Sequence, residues 1–193
     1  MYSLSEQVDN FVFHLEKEGY NLFPYLPNQN WKEGDPIYYS GPYWDNQEPT
    51  AAITALLSGK WLPAGENVNK FERAFSKQFE FKHSVMVNSG SSANLVMIAA
   101  LKKYFDWKDG DEIIVCACGF PTTINPIIQA GLKPVFVDIN DDDLNWDLEQ
   151  VEAKITDRTV AAFSSPVLGN PYDFDKFLDI VDRNGLKYIA DNC

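Results

Sequence analysis

Apolar residues recur at Leu4, Val8, Phe11, Val12 and Leu15, the three-to-four spacing of one helix face, and the pattern stops at Gly19. Ser3 and Glu6 form an S-x-x-E box ahead of that run, so the chain is expected to open with an amphipathic helix packed on something. His14 falls off the apolar face and reads as a solvated side chain. From Asn21 to Tyr43 the sequence is rich in Pro, Asn, Trp and Tyr without a sustained period, which predicts an extended aromatic arm lying over a surface, its own or a partner's. A second helix is predicted from Pro49 through Ile53, Leu56 and Leu57 to Gly59, followed by a loop from Lys60 to Gly65. Asn67 is expected to cap a third helix carrying Val68, Phe71, Ala74 and Phe75.

Past Phe79 the pattern changes character. Short β-prone runs at Ser84 to Val87, Glu112 to Val115, Pro134 to Val137, Thr159 to Phe163 and Lys187 to Ala190 alternate with helical patterns. Those helical patterns cover Ala93 to Tyr104, Thr123 to Ala130, Leu148 to Ile155 and Phe174 to Val181. Alternation of this kind predicts βα units and an α/β fold with a mainly parallel sheet. No internal repeat or low-complexity linker divides it, so the expected organisation is an N-terminal helix and arm over residues 1–48 and one α/β domain over 49–193.

Composition narrows the function. Sixteen basic against 28 acidic residues give a net charge of −12, which argues against a nucleic-acid binder or a protein that docks on anionic lipid. No apolar run is long enough to span a bilayer, and the first residues lack the basic region and apolar core of a signal peptide, which points to the cytoplasm. Three cysteines make no disulfide framework, and Cys116-Ala117-Cys118, with no second pair and no nearby His, reads as small thiols at a strand end rather than half of a metal site.

The chemistry starts at Asn88-Ser89-Gly90-Ser91-Ser92-Ala93-Asn94, a Gly/Ser turn between a β-prone run and a helical pattern. Such a turn gathers unpaired backbone N–H groups, the positive end of the helix dipole and the Ser91 and Ser92 hydroxyls at one spot, which suits a phosphate. An ordinary serine N-cap is the competing reading. There is no lysine after the turn as a P-loop requires, and no G-x-G-x-x-G for a dinucleotide. In open parallel sheets ligands collect beyond the carboxyl ends of the strands. There the sequence places Phe120 after one strand, Asp138 and Ser164-Ser165-Pro166 after the next two, and Asp191 after the last. A phosphate cradle, a flat aromatic face and a carboxylate together suit pyridoxal phosphate, whose ring nitrogen stays protonated when a carboxylate bonds to it. Read singly, Phe120 is a core aromatic at a strand end and Asp191 an acidic strand cap.

Five motifs in order carry a resemblance: Asn88 to Asn94, Gly119-Phe120-Pro121-Thr122-Thr123-Ile124-Asn125-Pro126, Lys133 to Asp138, Leu168-Gly169-Asn170-Pro171 and Asp191-Asn192-Cys193. With Trp61, Gly65, Phe71 and Glu72 ahead of them, they resemble the DegT/StrS family of fold-type I, pyridoxal-phosphate-dependent enzymes acting on nucleotide-linked keto sugars. The resemblance implies the three-layer large domain of that fold, with Gly90, Ser91 and Ser92 on the cofactor phosphate, Phe120 stacked on the ring and Asp191 on its nitrogen. It also implies a homodimer and a nucleotide-linked keto sugar as substrate, used in polysaccharide or lipopolysaccharide sugar biosynthesis.

Gly-Phe-Pro-Thr-Thr-Ile-Asn-Pro and Leu-Gly-Asn-Pro look most like the 3-dehydratase branch, with which an iron–sulfur reductase partner is associated. Pro166 stands where that branch often carries a His. The family's Schiff-base residue, Lys in aminotransferases and His in the dehydratases, lies downstream of the position matching Asp191, so the choice between 3-dehydration and transamination is open within this stretch. Lys133, Lys154, Lys187 and His83 do not match that position. The expectation is therefore the N-terminal part of a longer enzyme, cut inside its large domain, holding cofactor weakly and without turnover alone. The alternative is a non-catalytic α/β module used for dimerisation or partner binding.

Overall fold

The computed structural model describes residues 2–20, 32–37, 45–59, 65–166 and 169–192. They fall into two compact units, Met1–Val85 and Met86–Cys193. Most of the expected aromatic arm, together with Trp61, Leu168 and Cys193, lies outside the described residues.

The first unit is helical. Helix α1 (Leu4–Lys17) begins with the expected capping box: the Glu6 N–H donates to Ser3 Oγ at 3.2 Å, and the Ser3 N–H donates back to Glu6 Oε2 at 2.6 Å. Its Val8 and Val12 are buried, and His14 is exposed. Helix α2 (Gln47–Ser58) is tied to α1 by Asp9, whose Oδ1 accepts from Asn46 Nδ2 at 2.8 Å and Thr50 Oγ1 at 3.4 Å. Helix α3 (Glu66–Gln78) starts ahead of Asn67, the expected cap, and Gly65 takes the N-cap position without a side-chain bond. Glu66 accounts for the earlier start: it puts a carboxylate in the first turn, where the helix dipole favours it, and pairs with Lys70 one turn on at 2.7 Å.

Ser84–Val87, expected as a strand, forms none; Val85 is 75% exposed. A strand needs a neighbouring strand to take its N–H and C=O groups, and the strands formed by the described residues pair only with one another. An apolar run is a necessary mark of a strand and does not supply the partner.

The second unit is the α/β layer expected. In chain order it contains α4 (Gly90–Tyr104), β1 (Glu112–Cys116), α5 (Pro121–Gln129), β2 (Lys133–Val137), α6 (Leu148–Ala153), β3 (Thr159–Ser164), α7 (Phe174–Arg183) and β4 (Lys187–Ala190). The sheet runs β2-β1-β3-β4 and every pairing is parallel, with Ile114 opposite Val135 on one side and Ala162 on the other.

Alternate residues of a strand point to opposite faces, and both faces here are covered. Ile113, Val115, Ala161, Phe163 and Ile189 pack with Ile98 of α4 and Ile127 of α5. Ile114, Ala162 and Val137 pack with Val151 of α6 and with Phe177, Ile180 and Val181 of α7. Three layers follow, helix on sheet on helix, and they explain why β1 and β3 read as unbroken apolar runs. At the amino end of β1, Glu112 is buried and accepts from Lys133 Nζ at 2.8 Å and Thr156 Oγ1 at 2.7 Å.

Candidate active site

The carboxyl end of β4 delivers Asp191 to the place where the first turns of α4 and α5 meet. The Asp191 backbone N–H donates to the carbonyl of Ser164, the last residue of β3, at 2.8 Å, so the parallel ladder carries one bond past the strand and fixes where the side chain emerges. Its carboxylate Oδ2 accepts from Asn94 Nδ2 of α4 at 2.8 Å and from Thr123 Oγ1 of α5 at 2.7 Å. Among the described residues no hydrogen bond is made to its Oδ1.

Asn94 is 4% exposed and occupies the apolar face of α4 one turn before Ile98. Its amide nitrogen also donates to the Thr122 carbonyl at 3.2 Å. That carbonyl is available because of Pro126. In an α-helix the C=O of residue 122 takes the N–H of residue 126, and proline has none. Pro126 lies inside α5, so Thr122 loses its intrahelical partner and Asn94 replaces it. With both amide hydrogens directed at acceptors, the orientation of Asn94 is set by its surroundings.

The two helix starts carry the remaining sequence candidates. At α4, Ser89 is the N-cap: its Oγ accepts the Ser92 N–H at 3.1 Å and lies 3.1 Å from Ser92 Oγ. The Gly90 and Ser91 N–H groups belong to the first turn and have no carbonyl to donate to within the helix. Among the described residues, a Cβ placed on Gly90 would meet no heavy atom within 4 Å, so none of them fills the space at this helix end. Gly90 and Ser91 are exposed and Ser92 is half-buried.

At α5, Phe120 is the N-cap residue, 66% exposed, with Pro121 following in the first turn, where proline's fixed φ suits a helix. Asn94 is one turn into α4 from Gly90, about 6 Å along the axis at 1.5 Å per residue, and Thr123 is less than one turn from Phe120. The fold thus brings the Ser-rich turn, Phe120 and Asp191 to one edge of the sheet, joined through Asn94 and Thr123. Sequence reasoning assigned no role to Asn94, Thr123 or Pro126; the available signal was an asparagine at an apolar-face position and a proline within a helical pattern.

Behind Asp191, Ser164 Oγ accepts the buried Tyr172 hydroxyl at 2.8 Å, with Tyr188 OH at 3.4 Å. Burial pushes the Tyr172 phenol well above its ordinary value, so it stays a donor. Burial likewise pushes the Cys116 thiol up, and Cys118 is exposed. Among the described residues no cluster of His, Cys, Asp and Glu has the arrangement of a metal site, and no helix is long and apolar enough to cross a membrane.

A family model for the DegT/DnrJ/EryC1/StrS aminotransferase family matches residues 44–193. The GDP-4-keto-6-deoxy-D-mannose 3-dehydratase of Yersinia pseudotuberculosis is 42% identical over 152 residues, a match covering 78% of this chain and 38% of that protein. The dTDP-4-dehydro-2,6-dideoxy-D-glucose 3-dehydratase of Saccharopolyspora spinosa is 38% identical over 162 residues, covering 82% of this chain and 35% of that protein. Among solved structures, an E. coli GDP-4-keto-6-deoxy-D-mannose-3-dehydratase with bound hydrated PLP superposes with a TM-score of 0.73 at 42% identity, covering 80% of this chain and 40% of that one. The chain therefore spans well under half the length of these relatives.

Proposed function

The chain belongs to the DegT/DnrJ/EryC1/StrS aminotransferase family, and on that premise we propose that the edge where α4, α5 and β4 meet is the pyridoxal-phosphate site of an enzyme that modifies a nucleotide-linked keto sugar. The observation that carries the proposal is the clamp on Asp191, with donors from two helices fixing one carboxylate oxygen close to the N-termini of both. The donor set suits the cofactor. Gly90 and Ser91 offer backbone N–H groups, with the Ser91 and Ser92 hydroxyls beside them, to its phosphate. The open space at the Gly90 Cβ position leaves room for phosphate oxygens to approach the backbone. Phe120, a large ring left mostly exposed, offers a stacking face. With Oδ2 occupied by Asn94 and Thr123, Asp191 is oriented so that Oδ1 is left to accept the ring N–H. Bound there, pyridoxal phosphate supplies an electron sink for chemistry at the sugar carbons beside the keto group.

Both curated relatives named above are 3-dehydratases of nucleotide-linked keto sugars, which favours loss of the 3-hydroxyl over transamination; a role in lipopolysaccharide or polysaccharide sugar biosynthesis is supported by a further relative that is a lipopolysaccharide biosynthesis protein. Transamination is the second reading, supported by the family description. An iron–sulfur reductase partner belongs to the dehydration reading only where the two electrons for net loss of the hydroxyl oxygen do not come from an amino donor. Homodimerisation is supported by α3, which has no buried residue and displays Phe71 and Phe75 with Phe79 and Phe81 beyond its end. The unpaired thiols of Cys116 and Cys118 are compatible with a reducing, cytoplasmic setting.

Spectroscopic titration of the full-length protein with pyridoxal phosphate tests the site. Asp191→Ala is expected to weaken binding at least tenfold, and an unchanged affinity refutes the assignment. Mass analysis of the product from a GDP-linked 4-keto-6-deoxy sugar supplied together with an amino donor then separates the reactions: net loss of one oxygen, with the two electrons drawn from the amino donor, means 3-dehydration, and replacement of the keto oxygen by an amino group means transamination.

A further inference from the structure

A second polar site lies at the same edge of the sheet, independent of the cofactor reading. After β2 the chain makes a hairpin-like excursion closed by the Ile139–Trp146 bridge, by the Asn140 N–H on the Asn145 carbonyl at 2.8 Å and by the Asp147 N–H on the Asp138 carbonyl at 2.8 Å. At its base Asn145 and Trp146 are 2% and 3% exposed, and Asn145 Nδ2 and Trp146 Nε1 are buried donors with no hydrogen-bond partner among the described residues. Buried donors without an acceptor are costly and rare in folded proteins, so two from adjacent residues call for an explanation.

Both residues line one cavity of about 10 Å³, closed by Cys116 at the end of β1, Ser165 just past β3, and Tyr172. We propose that this cavity is a binding site for a single ordered water that accepts from Asn145 Nδ2 and Trp146 Nε1. The volume is on the order of one water and leaves no room for an organic group or a hydrated ion. The lining chemistry sets the polarity: two N–H donors require an oxygen acceptor and disfavour a cation.

The water's own hydrogens also have acceptors. Tyr172 gives its proton to Ser164 Oγ at 2.8 Å, leaving its phenol oxygen able to accept, and Ser165 is among the residues that line the cavity. A four-bonded water in this position joins the 139–146 hairpin through Tyr172 to Ser164, the residue whose carbonyl holds the Asp191 N–H. It acts as a positioning element for the strand end that carries Asp191.

The test is direct observation in the full chain. A crystal structure resolving ordered solvent is expected to show one peak within hydrogen-bond distance of both nitrogens. In solution, the Trp146 indole proton is expected to show a cross-peak to a long-lived water, assigned through its loss in Trp146→Phe or by backbone-linked assignment of the wild type should that variant not fold. A protein carbonyl seated on Nε1, or an indole proton with cross-peaks only to protein hydrogens, overturns the proposal.

Discussion

Replacing Asn94 by Ala tests the central feature of the site, because that one amide is asked to satisfy two acceptors. Its bond to the Asp191 carboxylate is charge-assisted and worth ~1.5–3 kcal/mol, and the Thr122 carbonyl left without a donor costs ~1–3 kcal/mol. Asp191 is half-buried, so water partly replaces the first bond and the lower part of each range applies, giving ~2.5–4 kcal/mol in all. The double variant is the sharper test. Pro126→Ala restores an N–H four residues after Thr122, which satisfies the carbonyl from within α5. In that background Asn94→Ala then loses only the Asp191 bond, and the two substitutions couple by ~1 kcal/mol. Urea unfolding of the wild type, both single variants and the double variant measures this, with equal m-values required for the comparison. Additivity to within ~0.3 kcal/mol would show that Asn94 is not standing in for the missing proline N–H.

Two further outcomes separate structural from functional roles. Gly90→Ala meets no atom of the described residues and adds helix propensity, so it should change stability by less than ~1 kcal/mol. If the turn holds a phosphate, the same variant weakens pyridoxal-phosphate binding in the titration; unchanged affinity favours a plain N-cap. Glu112 gives a pH signature: the bonds from Lys133 and then Thr156 hold its carboxyl below the ordinary value, so the unfolded chain takes up that proton at higher pH than the folded one. The stability it contributes is complete above about pH 5, since an unfolded glutamate titrates near 4.3, and is lost as pH falls through the lowered folded value. Glu112→Gln should therefore flatten the acid limb of a stability–pH curve, and a limb of unchanged slope contradicts this.

How much of this was legible beforehand differs by element, for physical reasons. The three-layer unit was readable because parallel strands covered on both faces leave unbroken apolar runs such as Ile113-Ile114-Val115, and the intervening helices keep a one-sided period, as Phe177, Ile180 and Val181 do. Ser84–Val87 has the same local chemistry and forms no strand, since pairing is a property of two segments and composition describes one. Phe120 and Asp191 share an edge because each lies just past a parallel strand, whereas the Ser-rich turn follows no strand and reaches that edge through α4, whose Asn94 bonds to Asp191.

The bonds that hold the group together were not legible, because each depends on something missing elsewhere. Asn94 reads as a misplaced polar residue on an apolar helix face until Pro126 is seen to remove the donor that Thr122 needs. The proline creates the acceptor, the acceptor orients the amide, and the amide together with Thr123 orients Asp191. A helix defect on one segment thus sets the direction of a carboxylate on a strand 65 residues further on, counted from Pro126 to Asp191. Substituting Pro126 should for this reason alter the proposed cofactor site without touching it, by letting the Asn94 amide leave Thr122, and the coupling measurement above is the quantity that detects this.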